Sequence, residues 1–155
     1  SVPQGEVITN AVLTYKGIYD WVYEDNDRLM TRLLDNPAAG VAVYTDNQAP
    51  SDFFEGQGVV VGSFTDPYGD YAHRTDLTYD FGQLGLVDDL TGYASNGRFG
   101  FGIDPDCHYW NSGIEFKIFT APASTTEPVP EPGTLSLFGV GMAGLGYFRH
   151  RQRSR

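Results

Sequence analysis

The sequence predicts an all-β domain, mainly antiparallel, built as a β-sandwich of jelly-roll type with one short helix. Three observations carry this expectation. Ten Tyr, ten Phe and 19 Gly occur in 155 residues, a composition that suits half-buried strands joined by tight turns. Apolar residues alternate over short stretches that Gly, Pro, Asn and Asp then close. One stretch alone carries a persuasive helical period.

In chain order, Val7 to Tyr15 sets Val7, Thr9, Ala11, Leu13 and Tyr15 on one face and reads as a half-buried strand. Lys16-Gly17 is expected to break it, Ile18 to Tyr23 to form a short aromatic strand, and Glu24-Asp25-Asn26-Asp27 to form a solvated acidic turn. Arg28 to Leu34 fits a helical face through Leu29, Met30, Leu33 and Leu34, or a strand face through Leu29, Thr31 and Leu33. Its shortness between turn-rich stretches decides for a strand, which Asn36-Pro37 stops. Val41 to Tyr44 reads as a further short strand and Thr45 to Glu55 as a surface loop.

Gly58 to Phe64, with three consecutive valines, is expected to be a central strand ending at the turn Thr65 to Asp70. Leu77 to Phe81 should bury Leu77, Tyr79 and Phe81 on one face. Leu86 to Ser95 is the helix, with Leu86, Leu90 and Tyr93 at i, i+4 and i+7, closed by Asn96-Gly97. Phe99 to Ile103 and Ile114 to Thr120 are the last strands, the second with Ile114, Phe116 and Ile118 inward. The sandwich is thus assigned to residues 1–120, and a Pro/Ser/Thr-rich stretch, 121–129, to a linker without the apolar groups needed for a core.

Charge narrows the partners. Four of the ten basic residues lie after residue 148, so residues 1–148 set six against all 20 acidic ones, a net charge of −14. Nucleic acid is excluded as an expected partner, because phosphate binding needs a basic face. Cys107 is the single cysteine, so no intrachain disulfide forms and the redox compartment is not legible from cysteine usage. The chain opens at Ser1-Val2-Pro3, and a secretory signal, with part of a first strand, is expected to precede it.

Candidate chemistry is sparse. Asp104, Asp106 and Asn111 group three oxygen ligands that suit calcium, although plain turn chemistry, with Asp and Asn capping their own backbone, accounts for them better. Cys107-His108 lacks a second such pair for zinc, and no G-x-S-x-G occurs, so Cys107 reads as a small apolar side chain and His108 as a loop residue. Trp21, Tyr109 and Trp110, with Tyr68 and Tyr71, suit an aromatic platform for sugar rings; core packing explains such residues equally well. No catalytic residue is nominated, and an enzyme is not expected.

The C-terminal stretch, 130–155, is of another kind. Pro130-Glu131-Pro132-Gly133 precedes an uncharged apolar run, 134–148, and a basic end, 149–155, carrying Arg149, Arg151, Arg153 and Arg155. The apolar run spans about 22 Å as a helix at ~1.5 Å per residue, short of the ~20 residues a bilayer span needs. The arginines should stop on the cytoplasmic side and leave the body across the membrane.

This three-part order closely resembles the PEP-CTERM sorting signal of bacterial surface proteins, which exosortase, a membrane protease-transpeptidase, recognises. The resemblance implies export, transient anchoring in the inner membrane, processing near Pro130, Glu131 and Pro132, and a Gram-negative, exopolysaccharide-producing type of host. Leu33 to Pro37, Thr65-Asp66-Pro67 and Phe101 to Asn111 also resemble a recurring exported domain of such proteins, which implies a β-sandwich and no established activity. The function expected is therefore a non-catalytic cell-surface or extracellular-matrix protein. The alternative is a carbohydrate-binding module, with or without calcium, acting on exopolysaccharide; a polysaccharide-active enzyme comes third.

Overall fold

The computed structural model describes residues 2–22, 27–44, 51–106 and 108–124. The chain divides into two units, Ser1–Ala123 and Ser124–Arg155. The first is the β body; the second, with the motif, the apolar run and the basic end, lies outside the described residues except for Ser124. Among the described residues no helix is long and apolar enough to cross a membrane.

The body is organised on β1 (Glu6–Asp20), which is antiparallel to β4 (Thr75–Asp80) along one side and to β7 (Gly113–Pro122) and the short β6 (Tyr109–Trp110) along the other. A second antiparallel sheet runs in the order β3 (Val59–Phe64), β2 (Leu29–Asp35), β5 (Phe99–Pro105). Two short helices, α1 (Phe81–Leu84) and α2 (Val87–Ser95), follow β4. This is the all-β antiparallel class that the short alternating stretches imply.

Both sheets turn their apolar faces to one core. β1 supplies Ile8, Ala11, Leu13, Tyr15 and Ile18, β2 supplies Leu29 and Leu33, and Val61, Tyr79, Phe81 and Leu90 complete it. Phe81, Phe99, Phe101 and Phe116 pack edge-on or tilted, with ring centroids 4.9 to 6.5 Å apart, the geometry their ring quadrupoles favour. The Phe-Gly alternation of β5 has a use on each face. Phe99 and Phe101 pack against the core, while a Cβ on Gly100 or Gly102 would meet the ring of Pro37 at 2.7 Å or of Phe54 at 2.6 Å.

β1 does not keep one parity. Its inward residues are Ile8, then Ala11, Leu13 and Tyr15, then Ile18 and Asp20; Thr14, on the other face, is also buried. The register slips by one residue between Ile8 and Asn10 against β7, and between Tyr15 and Ile18 against β4. Each slip is a β-bulge, and each reverses which face a given parity occupies. Lys16-Gly17, expected to end the strand, instead makes the second bulge: Gly17 takes φ +53°, and its N–H is satisfied by Asp76 Oδ1 at 2.8 Å. The anticipated strand from Ile18 is therefore the continuation of β1 as far as Asp20.

Three further expectations are corrected. Val41 to Tyr44 forms no strand, with Val41 98% and Val43 90% exposed; β-propensity without a partner edge does not hold a strand. Among the described residues β3 pairs with β2 alone, so it is an edge strand rather than a central one. In β7, Phe116 packs on the core while Ile114 and Ile118 are exposed. They sit opposite the buried Tyr15 and Ala11, on the expected side, but β7 is an edge strand and less of its inner face is covered.

Candidate metal centre and aromatic surface

The Gly17 bulge has a chemical result. By placing Ile18 inward it also places Asp20 inward, at the end of β1, where Asp20 is 0% exposed. Asp20 pairs across the ladder with Tyr109 and Tyr19 with Trp110. Directly opposed residues project to one side of a sheet, so the Asp20/Tyr109 pair and the Tyr19/Trp110 pair occupy opposite faces. One short ladder thus separates an acidic inner cluster from an aromatic outer surface.

The inner cluster gathers carboxylates around the Tyr109 hydroxyl. That hydroxyl lies 3.3 Å from the Asp27 carbonyl and 3.2 Å from the Phe64 carbonyl, and accepts from the Asp66 N–H at 3.2 Å. Its single proton is shared between the two carbonyls. Burial pushes the Tyr109 phenol up to about 12, against the pull of the Asp66 N–H, and the charges of Asp20, Asp27 and Asp66 reinforce the rise.

Asp66, also buried, serves the backbone: Oδ2 accepts from Asp20 N at 2.9 Å and Oδ1 from Tyr68 N at 3.0 Å. Asp20 Oδ1 accepts from Val22 N at 3.0 Å, while Asp20 Oδ2 is buried and has no hydrogen-bond partner among the described residues. None of the ion pairs among the described residues reaches Asp20 or Asp66. One donor atom from each of Asp20, Asp27 and His108 lies within 4.8 Å of the other two. His108 is half-buried; its carbonyl accepts from Trp21 N at 3.2 Å and its ring lies 5.9 Å from that of Trp21.

The residues first considered for calcium have separate occupations. Asp104 Oδ2 accepts from Phe53 N at 2.7 Å and fastens the turn after Asp52 to β5. Asn111 Oδ1 accepts from Gly113 N at 3.0 Å, the turn chemistry expected of it. Asp106 is buried, and its N–H donates to the Arg28 carbonyl at 2.8 Å. Asp27 is 6% exposed, so it does not belong to a solvated turn; Glu24, Asp25 and Asn26 lie outside the described residues, as does Cys107.

On the outer surface Trp21 is 52% and Trp110 41% exposed. The Trp110 ring lies 5.6 Å from Tyr19, Tyr19 lies 5.3 Å from Tyr71, and the Arg74 guanidinium sits 4.2 Å above the Tyr71 ring. Tyr68, itself exposed, stacks on His73 at 4.2 Å. Trp21 and Trp110 are therefore surface residues, whereas Tyr109 of the same trio turns its hydroxyl into the acidic cluster.

Sequence reasoning missed Asp20 and Asp66. Asp66 was legible only as part of a turn, and Asp20 closed a stretch read as aromatic. The one available signal was Gly17, since a glycine inside an alternating stretch marks a bulge and hence a change of face.

Residues 128–152 match the PEP-CTERM protein-sorting motif, which contains Pro130, Glu131 and Pro132 and is the C-terminal signal of exosortase substrates. The chain matches no curated protein and no solved structure. The motif marks an exported protein, anchored transiently in a membrane during its sorting.

Proposed function

We propose that the chain is a non-catalytic protein of the cell surface or extracellular matrix, a folded β body delivered by a C-terminal signal that exosortase removes. The sorting motif at residues 128–152 carries this reading. The order of parts supports it: the body's last strand, β7, ends at Pro122, a few residues before the motif begins. The signal acts in the inner membrane, with the arginines of 149–155 held on the cytoplasmic side and the body outside.

Mass spectrometry of the surface-associated protein tests it. A mature chain ending near Pro132 is the expected result. A surface-associated chain still carrying Arg155 would overturn removal of the signal.

A second reading, a carbohydrate-binding module acting on exopolysaccharide, is favoured by the exposed Trp21 and by the Trp110, Tyr19 and Tyr71 rings that adjoin one another on the outer surface. Flat ring faces stack on the apolar faces of sugars, and rings fixed by their neighbours lose little freedom on binding. Tryptophan fluorescence during titration with the host's polysaccharide reads this directly. An unchanged spectrum at saturating polysaccharide would remove the reading.

A further inference from the structure

We propose that Asp20, Asp27 and His108 bind one divalent cation of the zinc or manganese type. The site shares no residue with Asp104, Asp106 and Asn111, the oxygen ligands that suit calcium in the sequence.

Distance is the first support. Donors held about 2.0–2.5 Å from one ion lie at most about 4–5 Å from each other, and the three donor atoms here fall within 4.8 Å. The second support is independent of the clustering. Asp20 is fully buried, Oδ1 is committed to Val22 N, and Oδ2 has neither a hydrogen bond nor an ion pair among the described residues. A buried carboxylate oxygen without a partner is costly, and a cation would offset that cost through lone pairs the fold leaves uncommitted.

Donor chemistry selects the ion. Two carboxylates and one imidazole suit zinc or manganese; calcium prefers an all-oxygen shell of six to eight ligands. Asp66 is a positioning residue, since its Oδ2 fixes the Asp20 backbone. The ion would tie the end of β1, the segment entering β2 and the segment entering β6 at one point. A ligand that binds the native state alone raises the thermal midpoint, so the expected role is structural.

The test uses the full chain, stripped with chelator and titrated separately with zinc, manganese and calcium chloride by calorimetry, with thermal unfolding in parallel. Expected are one equivalent of zinc or manganese per chain, a raised midpoint, and a weakening of at least about tenfold in Asp20→Asn, which preserves the shape of the side chain and the acceptor for Val22 N. His108→Ala, which removes a half-buried loop side chain, is expected to weaken binding likewise and supplies the readout if Asp20→Asn fails to fold. In a Trp110→Phe background the fluorescence of Trp21, 5.9 Å from His108, should change on loading and stay constant in His108→Ala. No binding by zinc or manganese, binding unaffected by either substitution, or a midpoint raised by calcium alone would overturn the assignment. Loss of this site would leave the sorting reading untouched, because the mature terminus reports on that separately.

Discussion

Tyr15 Oη and Thr31 Oγ1 lie 2.8 Å apart in the buried core, and through them the central strand of one sheet is hydrogen-bonded to the central strand of the other. The bond is specific as well as stabilising, since it matches one position of β1 to one of β2. Tyr15→Phe removes one partner and leaves the Thr31 hydroxyl buried alone, at an expected cost of about 1–3 kcal/mol. Adding Thr31→Val to it removes the orphan, so the double variant should lose less than the sum of the two single losses. Urea denaturation of the four proteins measures the coupling.

Gly58 is the backbone position least able to take a side chain. It has φ +61°, and a Cβ there would lie 2.0 Å from the Leu33 carbonyl oxygen. Gly58→Ala should cost about 2–4 kcal/mol, combining left-handed strain with displacement of β2 backbone. Gly97→Ala is the control, since Gly97 has φ +81° with nothing within 4 Å; its cost should be the conformational one alone, about 1–2 kcal/mol. Thermal midpoints of the two variants test the difference.

Alkaline pH should unfold the body. Burial pushes the Tyr79 and Tyr109 phenols up to about 12, and burial raises Tyr15 further. The fold therefore holds these phenols protonated while the unfolded chain releases their protons near ~10. Stability from this source is complete below ~10 and declines as pH rises towards 12. Phenolate absorbance should show these tyrosines ionising in step with the loss of ellipticity; ionisation of every tyrosine before unfolding would contradict the burial.

The two tryptophans separate binding from stability. Trp21→Ala with Trp110→Ala removes half-exposed rings, so the unfolding free energy should change by less than ~1 kcal/mol. Affinity for polysaccharide should fall by about tenfold or more if the rings stack on sugars. Affinity electrophoresis in polysaccharide gels distinguishes the two effects.

The parts of this fold that could be read from the sequence were those with an unbroken period. Leu29, Thr31 and Leu33 share a buried face, Tyr79 is inward, and Leu90 is the buried residue of the helix, all as alternation or helical spacing requires. The illegible parts depend on partners. Val41 and Val43 have the propensity of a strand and no edge to join, and Ile114 and Ile118 face the right way in a strand that less of the core covers. At the candidate metal centre the sequence offers His108 only as a loop residue and Asp27 only as part of an acidic turn, and nothing local joins them to Asp20. That union depends on where two bulges fall, on the ladder that sets Tyr109 against Asp20, and on burial that only the packed sheets produce.

Those bulges make β1 a strand that counts. Each extra residue resets which numbers point to the core, so the destination of every later side chain depends on how many residues precede it more than on what they are. Remove Tyr19 from the regular run beyond Gly17 and the alternation shifts by one: Asp20 would follow the inward Ile18 directly and turn towards water. The candidate centre would then lose its buried carboxylate, with no residue beyond the deletion altered. The identity of Tyr19 could drift and leave the centre intact; a change of length there could not.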